Sequence, residues 1–236
     1  GALRKDTVLV SIMMVNNESG AVMPIEKMAK LTHRVCPDAI FHTDAVQGFF
    51  KVPFRASTLG ADAISVSGHK IHASKGVGAL YLRPGLIYGG GQESKLRSGT
   101  EMLPLIAGFA AACEAKLPTR QHDIAEQNRL TALCRELVTE IDGVTLLGAQ
   151  EAPHIVNLAV RGLRSQGLIN ALQDRDVYVS AGSACSKGHR SHVLEAMGAA
   201  PELIDGSIRV SLSDETTEDD IRAFASALEE AIAALR

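Results

Sequence analysis

The stretch ADAISVSGHK, residues 61–70, is the strongest indication of the fold and of a candidate site. Its first seven residues have the composition of a short β-strand that ends at Ser67, and the polar residues His69 and Lys70 follow directly. In open α/β sheets, ligands bind outside the carboxyl ends of the strands. The stretch therefore predicts a buried strand with a candidate binding site at its end.

The rest of the first half predicts a layered α/β sheet around this strand. Residues 7–15 form a continuous apolar run, which is typical of a buried strand in a parallel sheet. Residues 39–45 and 76–82 predict two further strands, the first ending at Asp44. Residues 25–35 have apolar side chains at helical spacing. Alternating strands and helices are typical of the α/β class.

The pattern changes beyond about residue 119, where we place a domain boundary near Pro118. This divides the chain into residues 1–118 and 119–236. The second part predicts helices at 124–141 and 166–174 and strands at 154–160 and 207–213. Thr217 and Asp220 have the spacing of a capping box at the start of a closing helix.

Composition excludes several classes of function. The 236 residues carry a formal net charge of −3, so the chain lacks the excess of positive charge that would indicate a nucleic-acid partner. No apolar run approaches the ~18 residues that a transmembrane helix needs. The four cysteines lie far apart and form no C-x-x-C pair, which favours a reducing, cytoplasmic setting and gives no support to a zinc knuckle.

Polar residues follow three of the predicted strands. Asn16, Asn17 and Glu18 follow the first, Asp44 and Gln47 the second, and Ser67, His69 and Lys70 the third. A lysine amine and an aspartate that protonates a pyridine nitrogen are what a pyridoxal phosphate (PLP) site requires. Each residue alone also has an ordinary interpretation, as a solvated lysine or a strand-end aspartate, so the pattern indicates PLP without deciding it.

The stretch SAGSACSKGHRSHVL, residues 180–194, places Cys185 among glycines and serines. The thiol could be a nucleophile, a metal ligand or an ordinary loop residue. Cys185, His189 and His192 have C-x3-H-x2-H spacing, which leaves a metal site open. Lys187, His189 and Arg190 are cations that could lower the pKa of the thiol.

Several longer motifs carry a resemblance to a known family. They are VNNESG, HTDAVQ, SGHKIHASKGVGALYLRPG, RSGTE and SAGSAC…SHVLEAMG…SIRVSLS. In this order and at this spacing they resemble the cysteine desulfurases of the NifS/IscS kind, which are PLP enzymes of the class V aminotransferase group. The resemblance implies fold type I, the aspartate aminotransferase-like architecture, as a partial large domain followed by a small C-terminal α+β domain. It also implies conversion of L-cysteine to L-alanine.

The resemblance also implies roles for individual residues. Lys70 is expected to be the Schiff-base lysine, and Arg209 to bind the substrate carboxylate. Cys185 is expected to accept the sulfur as a persulfide. The remaining expected cofactor contacts are Asp44 at the pyridine nitrogen, Gln47 and Asn17 at the ring side, Ser67 and His69 at the phosphate, and Thr100 at the phosphate of a partner subunit.

The resemblance implies a homodimer, because of the Thr100 contact, and a sulfur-acceptor protein as a second partner, either an iron–sulfur scaffold or a tRNA-thiolation protein.

The sequence departs from the family pattern in two places. It lacks the family's N-terminal section, so we expect weak or no PLP binding by the chain alone. The segment between Cys185 and SHVL is short and lacks a Glu-Pro before Ser191, which we expect to restrict the reach of the thiol.

Alternative functions remain open at this point. One is a selenocysteine lyase or another class V aminotransferase-type enzyme, although the cysteine in GSAC argues against a plain aminotransferase. Another is an inactive chain that only dimerises or binds partners.

Overall fold

The computed structural model describes residues 2–86, 89, 91–181 and 190–236. The chain forms two compact units, one of residues 1–15 and 23–120 and the other of residues 16–22 and 121–236. Among the described helices, none is both long and apolar enough to cross a lipid bilayer.

The first unit is built on a four-stranded sheet in the order β1-β2-β3-β4. The strands β1, β2 and β3 are parallel and β4 is antiparallel to β3. The strands are β1 (Leu9–Met13), β2 (Ile40–Asp44), β3 (Ala63–Ser67) and β4 (Gly78–Leu82), and the helices are α1 (Ile25–Val35), α2 (Ala56–Leu59) and α3 (Leu103–Lys116). Two 3-10 turns, Gly68–Ile71 and Glu93–Lys95, complete the unit.

The two faces of this sheet have different surroundings. On one face Phe41 and Ile64 are buried, and α1 packs against β2. On the other face Leu9 and Leu80 are 57% and 53% exposed. The prediction of a buried first strand is therefore wrong for Leu9, because the helix that packs on β2 covers the opposite face. Register pairing places Asp44 on the exposed face too.

A buried carboxylate, that of Asp62, joins α1, β2 and the residue that follows β4. Asp62, which is 1% exposed, accepts hydrogen bonds from the Phe41 backbone N–H at 2.8 Å and lies 2.8 Å from His33 Nε2. The Arg83 guanidinium lies 3.0 Å from the other carboxylate oxygen. Buried charges are tolerated when they are paired and hydrogen-bonded, so Asp62 holds three segments of the first unit together.

We expect Asp62→Asn to lower the free energy of unfolding of the first unit by about 2 kcal/mol, because charge-assisted hydrogen bonds are replaced by neutral ones. Urea unfolding followed by circular dichroism measures the change. Asp38→Asn is the matched control, since Asp38 is exposed on the same unit and should have no effect. Equal stability of both variants would contradict the structural role of Asp62.

The second unit is an antiparallel sheet in the order β5-β6-β7, with helices packed on it. Its strands are β5 (Val144–Leu147), β6 (Ile155–Val160) and β7 (Ser207–Ser211). Its helices are α4 (Arg120–Thr139, in this unit from residue 121), α5 (Ser165–Gln173), α6 (His192–Ala196), α7 (Pro201–Asp205) and α8 (Glu218–Leu235). Apolar side chains of α4, α5 and α8 bury one face of the sheet and form its core.

Residues 16–22 pack within the second unit although they follow β1 in sequence. The Ser19 and Gly20 carbonyls accept hydrogen bonds from the backbone N–H groups of Ala149 and Ala152 at 3.0 and 2.8 Å. A Cβ atom at Gly148 would clash with the Ser19 backbone, so glycine permits this close approach. The division at Pro118 did not assign this segment to the second unit, because such long-range backbone pairing leaves no local pattern.

Candidate functional site

The structure places five predicted site residues of the first unit around two neighbouring strand ends. Asp44 is the last residue of β2 and Ser67 the last of β3. Gln47 follows β2, and His69 and Lys70 lie in the 3-10 turn directly after β3. Because β2 and β3 are parallel, their carboxyl ends meet at the same edge of the sheet.

The turn after β2 holds the Asp44 carboxylate in place. Its Oδ1 accepts a hydrogen bond from the Val46 backbone N–H at 2.9 Å. The Ala45 N–H donates to the Ser65 carbonyl at 2.9 Å, which extends the pairing with β3 beyond the end of the strand. Asp44 is partly exposed at this edge of the sheet.

The turn after β3 brings a hydroxyl, an imidazole and an amine close together in sequence. Ser67 Oγ lies 2.7 Å from His69 Nδ1, within hydrogen-bonding distance. A Cβ atom at Gly68 would lie 2.9 Å from the Val77 side chain, so only glycine fits between Ser67 and His69 without displacement. His69 is exposed and Lys70 is half-buried.

Thr100 is not part of this strand-end group. It lies exposed in the segment between the 3-10 turn Glu93–Lys95 and α3. Its predicted contact is with a partner subunit, so its placement neither supports nor opposes that prediction.

The second unit contains a different cluster, centred on Arg209 in β7. The guanidinium donates hydrogen bonds to the Asn17 carbonyl at 3.0 Å and to Ser180 Oγ at 2.9 Å. Backbone hydrogen bonds also join Ser180 and Arg209 in both directions. The structure thus brings Asn17 and Arg209 together, but through the Asn17 backbone and not through its side chain.

Burial shapes the electrostatics of this cluster. Removal from water lowers the pKa of Arg209, and the negative charge of Glu18 opposes that shift. Arg209 Nε is buried and has no hydrogen-bond partner among the described residues. A buried donor without a partner costs free energy, so this guanidinium favours an additional acceptor such as a carboxylate.

Three polar residues around this cluster were not predicted as site residues, namely Glu18, Asn157 and Ser191. Asn157, on β6, donates from Nδ2 to the Glu18 carbonyl at 3.0 Å. Ser191 Oγ donates to Glu18 Oε2 at 2.5 Å. Glu18 is 3% exposed. Asn157 lies in a strand whose residues are all buried, and a buried polar residue in an apolar strand is the signal that could have found it.

Cys185, Lys187 and His189 lie outside the described residues. The hypothesis of a metal site needs Cys185 and His189, so it falls outside the described residues as well. Arg190 is described, and its guanidinium pairs with the Asp205 carboxylate at 2.6 and 2.7 Å. Its charge is therefore already balanced by a neighbour, which weakens its proposed role beside the thiol.

Comparison with known proteins relates the whole chain to one group. The model of the family described as aminotransferase class-V matches residues 1–224. The cysteine desulfurase IscS of Dictyoglomus turgidum is 40% identical over 248 residues, which cover 100% of this chain and 62% of that protein. A cysteine desulfurase of Nostoc sp. is 38% identical and is matched over 61% of its length.

Solved structures agree with these relatives. A NifS-like protein superposes with a TM-score of 0.88 at 33% identity, over 100% of this chain and 63% of that chain. The NifS-like protein of Rickettsia africae gives a TM-score of 0.83 at 33% identity, over 96% of this chain and 62% of its own. The chain therefore spans a little under two thirds of the length of these proteins.

Proposed function

Because the chain belongs to the aminotransferase class V family, we propose that it carries the catalytic residues of a PLP-dependent cysteine desulfurase. One observation carries the proposal, which is the position of Asp44 and Lys70 at the neighbouring ends of two parallel strands. Relatives named cysteine desulfurase and IscS support the same activity.

The side chains at this edge suit PLP in their chemistry. Asp44 offers a partly exposed carboxylate for the pyridine nitrogen, and Lys70 offers an amine for the aldehyde. Ser67 and His69 already lie within 2.7 Å of each other and supply donors for a phosphate. Gln47 is proposed to contact the ring side of the cofactor, and the resemblance to the family assigns the same contact to Asn17, which lies in the second unit. When bound, PLP supplies the electron sink that weakens bonds at the substrate Cα.

Three residues of the chain have separate proposed roles in the reaction. Arg209 binds the carboxylate of L-cysteine, since a guanidinium fork matches a carboxylate in two hydrogen bonds. Lys70 would hold the cofactor through its amine, and the same amine would move a proton at the substrate Cα. Cys185 attacks the substrate sulfur as a thiolate, because the thiolate and not the thiol is the nucleophile.

The proposed reaction balances without an external oxidant. The C–S bond of L-cysteine breaks and a C–H bond of L-alanine forms, while an S–S bond forms between the transferred sulfur and Cys185. The carbon gains the two electrons that the two sulfur atoms lose. A protein acceptor that receives the sulfur from Cys185 regenerates the thiol, and an iron–sulfur scaffold or a tRNA-thiolation protein is the proposed class of acceptor.

We also propose that the protein acts as a homodimer in the cytoplasm, with Thr100 contacting the phosphate in the partner subunit. The surface of α3 supports a partner, because Leu103 is 68% and Ile106 is 41% exposed on the same helix. The alternative of a selenocysteine lyase or another class V aminotransferase-type enzyme is not favoured, since the relatives are named as cysteine desulfurases. Relative turnover of L-cysteine and L-selenocysteine separates the two.

Cys185→Ser tests the proposed sulfur transfer. We expect alanine formation from L-cysteine to fall by ~10²-fold or more, because the serine hydroxyl is a far weaker nucleophile than a thiolate. Mass spectrometry should find a mass increase of one sulfur atom on Cys185 in the unaltered protein and none on the variant. Cys113→Ser is the control, since burial raises the pKa of that thiol and makes it a poor nucleophile. Unchanged turnover in Cys185→Ser would overturn the proposed function.

A further inference from the structure

The second unit holds a buried carboxylate that the proposed reaction does not use. We propose that Glu18 is a positioning residue that acts through Ser191 on the chain segment that contains Cys185. This inference rests on the proposed function and adds Glu18 to the residues that serve sulfur transfer.

The contact between Glu18 and Ser191 is short and shielded from water. Ser191 Oγ donates to Glu18 Oε2 at 2.5 Å, and the two residues are 8% and 3% exposed. The same hydroxyl accepts from the Leu194 backbone N–H at 3.2 Å and so caps α6. A hydrogen bond between a hydroxyl and a carboxylate in a buried site is strong, so Glu18 fixes where α6 begins.

Glu18 is itself held on several sides. Its backbone N–H donates to Asn16 Oδ1 at 2.9 Å and its carbonyl accepts from Asn157 Nδ2 at 3.0 Å. The carbonyl of the preceding residue, Asn17, accepts from the Arg209 guanidinium. The carboxylate therefore has a defined position relative to β6 and to Arg209.

The other end of the segment is held by Arg209. Its guanidinium and backbone both bond to Ser180. In sequence, Ser180 and Ser191 lie on either side of Cys185. The residue expected to bind the substrate carboxylate thus holds one end, and Glu18 holds the other. Both attachments lie within the second unit, so the separation of the two ends is set by its own sheet and turn.

Two ways of acting can be told apart. Glu18 could act through the hydrogen bond to Ser191, or through its charge on Arg209. A positioning role through Ser191 affects the transfer of sulfur to Cys185 but leaves the binding of the substrate carboxylate unchanged. A charge effect on Arg209 alters substrate binding instead.

The experiment compares Glu18→Ala, Glu18→Gln and Ser191→Ala in the full protein, with Glu202→Ala as control because Glu202 is exposed in the same unit. We expect Glu18→Ala and Ser191→Ala to lower kcat and the single-turnover rate of persulfide formation on Cys185 by ~10–100-fold, because small misplacements of a reacting group are costly. KM for L-cysteine should stay within ~2-fold, and Glu18→Gln should recover kcat to within ~3-fold, since its amide oxygen still accepts from Ser191.

Several results would overturn the inference. They are a rise in KM without a fall in kcat, a Glu18→Gln variant as slow as Glu18→Ala, or variants as fast as Glu202→Ala. If Glu18→Ala fails to fold, Ser191→Ala decides, since it removes a single hydroxyl. Amide hydrogen exchange of α6 adds a readout that needs no turnover, and it should be faster in Glu18→Ala and Ser191→Ala. A protein without cysteine turnover would overturn the proposed function, while this exchange would still test the Glu18–Ser191 attachment.

Discussion

In a protein that includes the family's N-terminal section as well as this chain, Lys70→Ala is expected to abolish covalent attachment of PLP and to lower cysteine turnover by ~10³-fold or more, because the amine serves both as the attachment point and as the group that moves the proton. Absorbance spectroscopy measures the first effect, since covalently bound PLP gives a band in the visible range. Alanine production measures the second. Borohydride reduction should fix PLP permanently to the unaltered protein, and no PLP should be fixed to Lys70→Ala.

The control for this result is Lys75→Ala. Lys75 is exposed and lies in the loop that leads to β4, so its loss should change neither the absorbance band nor turnover. Persistence of the band in Lys70→Ala would assign the attachment to another amine and would overturn the proposed roles at the end of β3. Loss of the band in both variants would indicate damage to the first unit as a whole.

The second large effect is expected for Arg209→Lys. Lysine keeps the positive charge but loses the planar fork, so we expect kcat/KM for L-cysteine to fall by ~10²-fold or more. Cysteamine lacks the carboxylate, and its weak binding should be unaffected by the substitution. The measurement is therefore the ratio of the affinity for L-cysteine to the affinity for cysteamine, which should fall in Arg209→Lys.

Arg222→Lys is the matched control in the second unit, because Arg222 is exposed on α8 and pairs with Glu218. It should leave the ratio unchanged. A ratio that Arg209→Lys does not alter would show that another group binds the carboxylate. Because Arg209 also bonds to Ser180 and Asn17, amide exchange of β7 should accompany the measurement to establish that the sheet remains formed.

Much of the fold could be predicted from local patterns. The α/β class is confirmed by the mixed units, and fold type I, which the resemblance to the family implied, is confirmed by the superposition on a NifS-like structure. The capping box of Thr217 and Asp220 is present with both reciprocal hydrogen bonds. The strands predicted to end at Asp44 and Ser67 do end at those residues. The cap and the strand ends depend on residues within one turn or one strand of each other, which is why local sequence suffices for them.

Burial and the grouping of distant segments were less predictable. The apolar run of β1 indicated a buried strand, yet Leu9 and Met13 are exposed because α1 packs on the other face of the sheet. Strand β5 gave too short an apolar pattern to be recognised. Hydrophobicity shows that a strand favours burial, but whether a face is covered depends on where other elements pack.

The class of fold, the family and the candidate residues at the ends of β2 and β3 follow from the sequence alone. A strand followed by Ser67, His69 and Lys70 is a local arrangement, and parallel pairing brings its end beside Asp44 for a general geometric reason. The packing of residues 16–22 with the second unit and the hydrogen bond between Glu18 and Ser191 are seen only in the folded chain. Those contacts join positions more than 120 residues apart. They depend on the complementary shapes and hydrogen-bonding groups of a folded sheet, to which no local pattern corresponds.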